Sequence, residues 1–398
     1  MSRLDLPVII VGAGPVGLSL LVGLQRQGIA AQLYEQLPDL SPEARASTFH
    51  PHTLEIFEEW GVLDAIVSQG HRVDCLQYWE RDNQELIAAF SYSHINCDTP
   101  YPYRLQCPQS IVTRVLKPIV ESTNPNCVYM QHELIGFEEK GDYIIVTFQT
   151  PHGIVNVKGA YLVAADGSKS AIRRQLNISF EGSTYEDRFL LVASDVDFTP
   201  FYPEFGPVSY IFSPEEWVIV MQLPDITRTV FQVHPHEVND VIVQPDEVRQ
   251  RMARFAGSTI DFTIESVSIY SVHQRVASTF RLGRVLLVGD AAHINNPMGG
   301  MGMNSGIHDA HCLAGYLAQV MSGASDTLLD DYSNIRRDYA LKHVRKTTHK
   351  NYEDMSSQNE EYRQKRNAEF RAIAADPQRQ REYLLKASML EDRIAEKA

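Results

Sequence analysis

One short stretch near the start of the sequence, VIIVGAGPVG at residues 8–17, restricts the fold more than any other. A continuous apolar run ends in a glycine-rich turn, and an apolar pattern of helical period follows it. Gly12 would permit a tight turn, Gly14 would let the backbone approach a pyrophosphate, and Gly17 would allow close packing of the helix on the strand. The stretch predicts a βαβ unit that binds a dinucleotide.

The residues around this turn extend the predicted site. Pro15 and Val16 belong to the same turn and are expected to lie beside the nucleotide. Glu35 ends the next predicted strand, about 20 residues on, where an acid would bond an adenosine ribose. This fingerprint does not distinguish NAD from FAD, so other segments must do so.

Two later strand ends carry a carboxylate and favour FAD. In YLVAADGSKSAIRRQL, residues 161–176, a buried strand is followed by Asp166 and then by a helix. In GRVLLVGDAAH, residues 283–293, Gly289 and Asp290 repeat this arrangement. A carboxylate at a strand end can accept hydrogen bonds from the hydroxyls of a polyol chain. The ribityl group of FAD is such a chain.

A second glycine-rich segment, from Gly299 to Gly306, is predicted to open a helix. Backbone N–H groups at a helix start can point at an approaching ligand. The positive end of that helix would favour the negative charge that a reduced flavin develops near N1 and the C2 carbonyl. We therefore expect this segment to hold the reactive ring, while the early turn holds the adenine-side phosphates.

The composition excludes several functional classes. The 398 residues are 44% hydrophobic and 22% charged, with no run of 18 apolar residues and no cleavable signal pattern, so a soluble globular protein is expected. A net charge of -14 argues against nucleic-acid binding. Five widely spaced cysteines without a CxxC pair indicate reduced thiols in a cytoplasmic protein.

The hydrophobic patterns predict an α/β fold with a discontinuous, Rossmann-like FAD-binding domain made of residues 1–184 and 271–340. Within it, alternating segments between residues 127 and 165 predict a small antiparallel hairpin that leads back into a buried strand. The chain then leaves this domain and returns at RVLLVGD.

Between the two parts, residues 185–270 contain several strand-like segments and one helix near residues 245–256. They predict an inserted substrate-binding domain with a mixed or antiparallel sheet. Residues 341–398 are densely charged and predict a C-terminal helical segment. That segment is expected to be solvated or, alternatively, to form an oligomer contact.

Taken together, GAGPVG with Glu35, AADG and GDAAHINNPMGGMGMN resemble the class A flavin-dependent aromatic hydroxylases, the group of p-hydroxybenzoate hydroxylase and phenol hydroxylase. The likeness runs from residue 7 to about 340, with the motifs in the family's order. It implies FAD as cofactor, with NADH or NADPH docking transiently as co-substrate. The implied FAD contacts are Arg45 at the pyrophosphate, Gln109 and Asp290 at the ribityl chain, Asp166 in a motif linked to FAD and NAD(P)H, and the backbone N–H groups of Met303 and Asn304 at the pyrimidine edge. Gly302, beside them, is also expected to bind the cofactor.

The resemblance also implies a reaction. NAD(P)H reduces FAD, oxygen adds to give a flavin C4a-hydroperoxide, and its distal hydroxyl passes to a phenolic or heteroaromatic small molecule. Pro297 would face the substrate above the ring. A base near a phenol hydroxyl would help, and His50 is the candidate, with a surface or helix-capping role as the alternative. Tyr210 and Tyr270 are predicted on opposite pocket walls, either bonding the substrate hydroxyl or serving as core aromatics.

Other functions remain open from the sequence. An FAD-dependent reductase or oxidase of the same fold would act on a small molecule without inserting oxygen. A flavin halogenase would need a WxWxIP segment, and the three tryptophans form no such pair. His293, His308 and His311 do not indicate a metal site, because Asp309 is the only acid with them on the predicted helix. A monomer and a homodimer are both compatible with the sequence.

Overall fold

The computed structural model describes residues 6–42 and 46–393. Its strands are β1 (Val8–Val11), β2 (Ala31–Tyr34), β3 (Thr48–Phe49), β4 (His71–Val73), β5 (Cys75–Glu80), β6 (Glu85–Ser91), β7 (Arg104–Gln106), β8 (Val128–Tyr129), β9 (Glu133–Lys140), β10 (Tyr143–Thr150), β11 (Gly153–Gly159), β12 (Tyr161–Ala164), β13 (Phe180–Ser194), β14 (Val208–Phe212), β15 (Val218–Gln222), β16 (Thr227–Val233), β17 (Ile264–Ala277), β18 (Arg281–Leu282), β19 (Val285–Leu287) and β20 (His293–Ile294).

Its α-helices are α1 (Pro15–Arg26), α2 (Pro51–Glu59), α3 (Leu63–Val67), α4 (Gln109–Thr123), α5 (Ala171–Gln175), α6 (Asn239–Ile242), α7 (Pro245–Ala256), α8 (Met301–Met321), α9 (Leu328–Tyr339), α10 (Arg345–Ser356), α11 (Glu360–Ala374) and α12 (Pro377–Ala387). Short 3-10 turns cover Tyr92–Ile95, Gly289–Ala291 and Leu390–Asp392. A π-helical turn, Ala340–Val344, joins α9 to α10.

A six-stranded sheet in the order β18-β19-β12-β1-β2-β8 carries the nucleotide motifs. It is parallel except for the edge pair β18 and β19. Every residue of β1 is buried, as expected for the centre of a parallel sheet covered on both faces. Because the carboxyl ends of parallel strands share one edge, Gly12, Asp166 and Gly289 follow β1, β12 and β19 on the same side. This confirms the predicted α/β fold.

The predicted hairpin between residues 127 and 165 is a three-stranded antiparallel sheet in the order β11-β10-β9. Gly159 ends β11 directly beside the central strand, where a Cβ would lie 2.4 Å from Cγ1 of Ile9. The chain then enters β12, which pairs in parallel with β1. The return into a buried strand is therefore as the sequence predicts.

The eight-stranded sheet extends beyond the predicted segment of residues 185–270. Its order is β20-β17-β13-β16-β15-β14-β5-β6, so residues 75–91 from the first part of the chain belong to it. β5 pairs in parallel with β14, with Gln77 opposite Ser209. Alternation along a strand shows that a strand exists but not which distant strand it pairs with, which explains the difference. The helix predicted near residues 245–256 is α7.

The C-terminal helices are packed against this sheet and are not a solvated tail. Phe370 on α11 is 8% exposed and stacks on Phe90 with ring centroids 5.8 Å apart. Leu384 on α12 is fully buried in the same hydrophobic cluster. The guanidinium of Arg366 lies 3.7 Å from the ring centroid of Phe212. A few apolar side chains among many charged ones therefore fix the segment on the sheet.

All five cysteines are free thiols, three of them buried. Burial raises the pKa of the Cys107 thiol to about 12, because a thiolate there would lack solvation. Within residues 6–42 and 46–393, none of the helices has both the length and the apolar character needed to span a bilayer.

Candidate active site

The first glycine turn has the geometry that a pyrophosphate requires. Gly12 has φ +110°, and a Cβ there would lie 2.3 Å from the carbonyl oxygen of Ala165. A Cβ on Gly17 would lie 2.0 Å from the oxygen of Gly12, so only glycine permits this contact between α1 and the strand end. Around Gly14 the Cβ position is open, with nothing within 4 Å. The turn is thus closed on the protein side and open where a ligand would approach.

Glu35 connects the end of β2 to this turn. Its Oε2 accepts a hydrogen bond of 2.8 Å from the N–H of Ala13, and its Oε1 accepts one of 3.0 Å from Leu37. Pro15 begins α1, where its missing N–H leaves no helix hydrogen bond unmade. Val16 lies against the later glycine segment, since a Cβ on Gly306 would be 2.6 Å from its Cγ2. The early and late motifs are therefore in contact.

Asp166 lies where β12 ends, next to the first glycine turn. Its Oδ2 accepts hydrogen bonds from the N–H groups of Ala171 at 2.8 Å and Ile172 at 3.3 Å, at the start of α5. Burial raises the pKa of this carboxyl. Its Oδ1 is buried and has no partner among the described residues. Because a buried carboxylate oxygen is stabilised by a donor, this atom suits a ligand hydroxyl or water.

The late glycine-rich segment, residues 289–306, contributes one carboxylate and the start of α8. Asp290 follows β19 in a 3-10 turn and is exposed, and Pro297 is exposed on the next loop. Gly300, with φ +70°, is the N-cap of α8, so the N–H groups from Met301 to Asn304 have no acceptor within the helix. Gly302 and Met303 are half-buried in this first turn. These features fit the ribityl chain and the pyrimidine edge of FAD.

The side chain of Asn304 holds the loop before α8 in place. Its Nδ2 donates to the carbonyl oxygens of Thr48 at 2.8 Å and Gly300 at 2.7 Å. Its Oδ1 accepts from the N–H of His50 at 2.9 Å and the hydroxyl of Thr53 at 2.6 Å. The amide is fully used within the protein, so only its backbone N–H remains available to a flavin.

His50 lies behind this loop and not in the wall of the cavity described below. It is the fully buried N-cap of α2, and its Nε2 is 2.9 Å from the carbonyl oxygen of Gly299. Burial lowers its pKa well below the ordinary value, and the positive charge of Arg104 adds to the effect. A neutral ring then donates its Nε2 proton to Gly299. Its position thus supports the loop directly.

The resemblance also implies that Arg45 and Gln109 contact FAD. Arg45 lies outside the described residues. Gln109 is the first residue of α4, and its N–H donates to the carbonyl oxygen of Ala46 at 2.9 Å. It is therefore next to the segment that precedes β3.

Asp309, predicted as a helix acid, is the centre of a buried network beneath the late segment. Its Oδ2 accepts from the N–H of Gly289 at 3.0 Å and lies 2.8 Å from Nε2 of His293. Its Oδ1 accepts from Nε of Arg336 at 2.7 Å. All three side chains are at most 2% exposed. His293 is therefore a structural partner of Asp309, and the network fixes the turn that carries Asp290.

A cavity of about 600 Å³ lies between the eight-stranded sheet, the loop before α8 and the C-terminal helices. Its walls are largely aromatic on the sheet side and contain lysines and carboxylates toward the helices. The residues that line it include Tyr78, Arg104, Tyr210, Phe212, Met298, Gly299, Lys342, Lys346, Lys350, Asp354, Phe370, Tyr383, Lys386 and Glu391.

The two predicted pocket tyrosines occupy different positions. Tyr210 on β14 lines the cavity and stacks on Tyr78, with ring centroids 5.3 Å apart. Tyr270 on β17 is not among the lining residues and packs against Phe189, with centroids 5.5 Å apart. Burial raises the pKa of Tyr270 even though Arg228 is nearby. Both tyrosines pack in one hydrophobic cluster rather than forming two opposite walls.

Two buried arginines near this region were not predicted. Arg104 on β7 lines the cavity, and Arg228 on β16 lies beside Tyr270; each is 3% exposed. Burial lowers the pKa of Arg228 to about 10. An arginine within a segment predicted to be a strand of the inserted sheet, as in TRTVFQV, is the sequence signal that could have identified such a site, because arginine is rarely buried.

Comparison with known proteins agrees with these features. Residues 5–347 match the family described as the FAD binding domain. The chain is 32% identical over 402 residues to the para-nitrophenol 4-monooxygenase of Pseudomonas sp. (strain WBC-3), covering 99% of this chain and 98% of that enzyme. It is 31% identical over 343 residues to a 3-(3-hydroxy-phenyl)propionate/3-hydroxycinnamic acid hydroxylase of Comamonas testosteroni, of which it covers 57% and which matches 85% of this chain.

Solved structures show the same relationship. The crystal structure of p-nitrophenol 4-monooxygenase from Pseudomonas putida DLL-E4 superposes with a TM-score of 0.90 at 29% identity, over 96% of this chain and 98% of that one. A complex of aklavinone-11 hydroxylase with FAD and aklavinone superposes with a TM-score of 0.78 at 25% identity, over 89% of this chain and 70% of that one. These relatives insert oxygen into aromatic compounds, which decides against the reductase or oxidase alternative. The chain belongs to the class A FAD-dependent aromatic hydroxylases and is an aromatic monooxygenase.

Proposed function

We propose that this enzyme hydroxylates a phenol with a small substituent para to the hydroxyl group, bound in the 600 Å³ cavity. The observation that carries the proposal is the composition of the cavity walls. One wall comes from the sheet, with Tyr78 and Tyr210, and the other from α11 and α12, with Phe370 and Tyr383. The p-nitrophenol 4-monooxygenase relative aligns over nearly the whole chain, including the segment that supplies the second wall.

The proposed roles of the chain's residues follow from their positions. Bound FAD, reduced by NADH or NADPH, supplies the activated oxygen. Tyr210 donates a hydrogen bond to the substrate from the cavity wall, and the aromatic walls exclude water. Pro297 faces the substrate from the loop before α8. His50 acts as a positioning residue through Gly299, and Tyr270 supports the sheet behind the cavity.

The cofactor contacts are proposed from the same geometry. The turn from Gly12 to Gly17, with Pro15 and Val16, holds the pyrophosphate, and Glu35 bonds the adenosine ribose. On the flavin side we assign the ribityl chain to Asp290 and Gln109, and the flavin edge to the first turn of α8. The free Oδ1 of Asp166 completes the site. Arg45, carried over from the resemblance, is proposed at the pyrophosphate.

The reaction can be tested with purified holoenzyme. We expect 4-nitrophenol and related para-substituted phenols to accelerate NAD(P)H oxidation, and the product to contain one oxygen atom from heavy-isotope oxygen gas. Phenylpropionates, aminophenols and hydroxypyridines serve as comparison substrates, and peroxide release measures uncoupled turnover. Accelerated NAD(P)H oxidation that yields only peroxide with every para-substituted phenol would contradict the proposal.

The Asp290→Ala variant tests the ribityl assignment. Hydrogen bonds to a charged acceptor contribute about 1.5–3 kcal/mol, so FAD affinity should fall roughly 10- to 100-fold. Because Asp290 is exposed, thermal stability of the flavin-free protein should change by no more than about 0.5 kcal/mol. Flavin content after gel filtration and unfolding of the apoprotein measure the two effects. Equal flavin content in variant and parent would remove Asp290 from the site.

A further inference from the structure

Methionines are concentrated where the cavity meets the start of α8. Three of the chain's ten methionines, Met298, Met301 and Met303, fall within six residues of the loop and first turn of this helix. Met298 and Met301 line the cavity together with Met355 of α10. Within the described ranges, no cysteine lines it. Thioethers are therefore the most readily oxidised groups at this end of the cavity.

Met301 differs from the other two lining methionines in its surroundings. It is the first residue of α8, whose first turn we assign to the flavin edge. It is 4% exposed, compared with 0% and 2% for the other two. Its side chain packs in a small hydrophobic cluster with Tyr339, Val344 and Met389. Met301 thus connects the flavin edge with the π-helical turn and the C-terminal segment.

Oxygen chemistry at the flavin edge supplies an oxidant for a thioether. When NAD(P)H is oxidised without hydroxylation, the oxygen consumed leaves as hydrogen peroxide. A thioether sulfur attacks one peroxide oxygen, an S–O bond forms as the O–O bond breaks, and the other oxygen leaves as water after a proton transfer. Sulfur loses two electrons and the peroxide gains them. The product is methionine sulfoxide, which is polar and accepts hydrogen bonds.

We propose that Met301 is a site of oxidative modification, at which peroxide from uncoupled turnover forms the sulfoxide and the modified enzyme releases its flavin. The N–H groups from Met301 to Asn304 have no acceptor within the helix, so a sulfoxide oxygen in the same turn competes for the donors that the flavin needs. The sulfoxide also places a polar group among Tyr339, Val344 and Met389. An enzyme that consumes NAD(P)H without hydroxylating anything thereby stops itself, and a methionine sulfoxide reductase restores it.

An isotope experiment without any aromatic substrate tests the site. Holoenzyme oxidises NADH or NADPH under heavy-isotope oxygen gas, with catalase present to destroy peroxide that escapes, and peptide fragmentation assigns each added oxygen to one methionine. We expect labelled sulfoxide at Met301 before any at Met130, a half-buried methionine after β8 at the edge of the nucleotide sheet. In a second arm, peroxide is added to holoenzyme without NAD(P)H. There oxidation follows exposure, so Met130 should be oxidised first.

The loss of flavin and activity is measured on the same samples. The fraction of activity lost should equal the fraction of chains with Met301 sulfoxide, and the Kd for FAD of the modified protein should rise about 10- to 100-fold. Methionine sulfoxide reductases should reverse both effects. Met301→Leu should lose its own initial activity more slowly per NAD(P)H oxidised. Met252→Leu, at a fully buried methionine on α7 that does not line the cavity, is the matched control and should be inactivated like the parent.

Several results would overturn the inference. Peroxide release without labelled sulfoxide at Met301 would exclude the modification. Turnover that oxidises Met130 first would make exposure alone decisive, and the methionines at the cavity would then only fill irregular space. Inactivation of Met301→Leu at the parental rate would separate the modification from the loss of flavin. If no para-substituted phenol is hydroxylated, the proposed function fails and this inference stands, because the experiment uses no phenol.

Discussion

Replacing Gly14 with valine should abolish FAD retention while leaving the apoprotein folded. Gly14 has φ -70° and ψ 176°, which any residue can adopt, and its Cβ position is open. Valine would therefore fit the fold but occupy the space through which the pyrophosphate reaches the backbone N–H groups. Losing two charge-assisted hydrogen bonds costs about 3–6 kcal/mol, so FAD affinity should fall by roughly 10² to 10⁴. FAD titration of the apoprotein measures this loss.

The neighbouring glycines provide the control. Gly17→Val places a Cβ 2.0 Å from the oxygen of Gly12, so that variant should be destabilised as an apoprotein. Gly14→Val loses only part of a helix cap, about 1 kcal/mol or less. Thermal unfolding of the three apoproteins checks the contrast. Parental FAD affinity in Gly14→Val would show that the pyrophosphate does not approach this turn.

Replacing Asp309 with asparagine should strongly lower the free energy of unfolding. The side chains of Asp309 and Arg336 are fully buried, and their Oδ1 to Nε distance is 2.7 Å. Removing one charge of a buried pair costs about 3–5 kcal/mol, because the other charge stays in a poorly solvating interior. Asp338→Asn is the matched control, since Asp338 pairs with Lys342 on the exposed surface and should contribute less than about 1 kcal/mol. Equal losses of unfolding free energy in the two variants would contradict the assignment.

The contribution of Asp309 to the free energy of unfolding should also decrease in acid. Burial alone would raise the pKa of this carboxyl. The interactions with His293 and Arg336 lower it by more than burial raises it, so the pKa of Asp309 lies below its usual value. The ionised carboxylate therefore stabilises the folded state at every pH above about 3.9, which is the pKa of aspartate in the unfolded chain. This stabilisation is lost as the pH falls through the lower pKa of the folded state. The stability difference between parent and Asp309→Asn should therefore be constant above about pH 5 and shrink in acid.

The sequence predicts the cofactor site better than the substrate site, for physical reasons. Gly12, Gly14 and Gly17 act through the backbone of one local turn, so their spacing already contains the geometry. By contrast, Arg104 is notable because it is buried and forms no ion pair with a carboxylate in the part of the chain that the structure describes, and that depends on the whole fold. His50 has the expected chemistry, yet its place behind Gly299 depends on a contact 249 residues away in sequence.

The same distinction applies to the fold. The strands β14 to β16 can be recognised from the sequence because they are short, largely apolar and almost continuously buried, and turn residues separate them. The parallel pairing of β14 with β5 leaves no local signal. Phe370 and Leu384 are too few among charged neighbours to indicate a buried face, although both are buried in one hydrophobic cluster. The pairing of distant strands, and burial that depends on a few isolated apolar side chains, therefore cannot be predicted from the pattern of neighbouring residues.

The helical wall of the cavity has a consequence for how such enzymes diversify. The family match ends at residue 347, whereas Phe370, Tyr383 and Lys386 line the cavity in which we propose that the substrate binds. The cofactor motifs and the cavity wall formed by α11 and α12 are then separate segments of one chain. Substitutions selected in one segment can therefore leave the other unchanged. We expect exchange of residues 348–390 between relatives to transfer substrate preference while flavin affinity is inherited from the remainder.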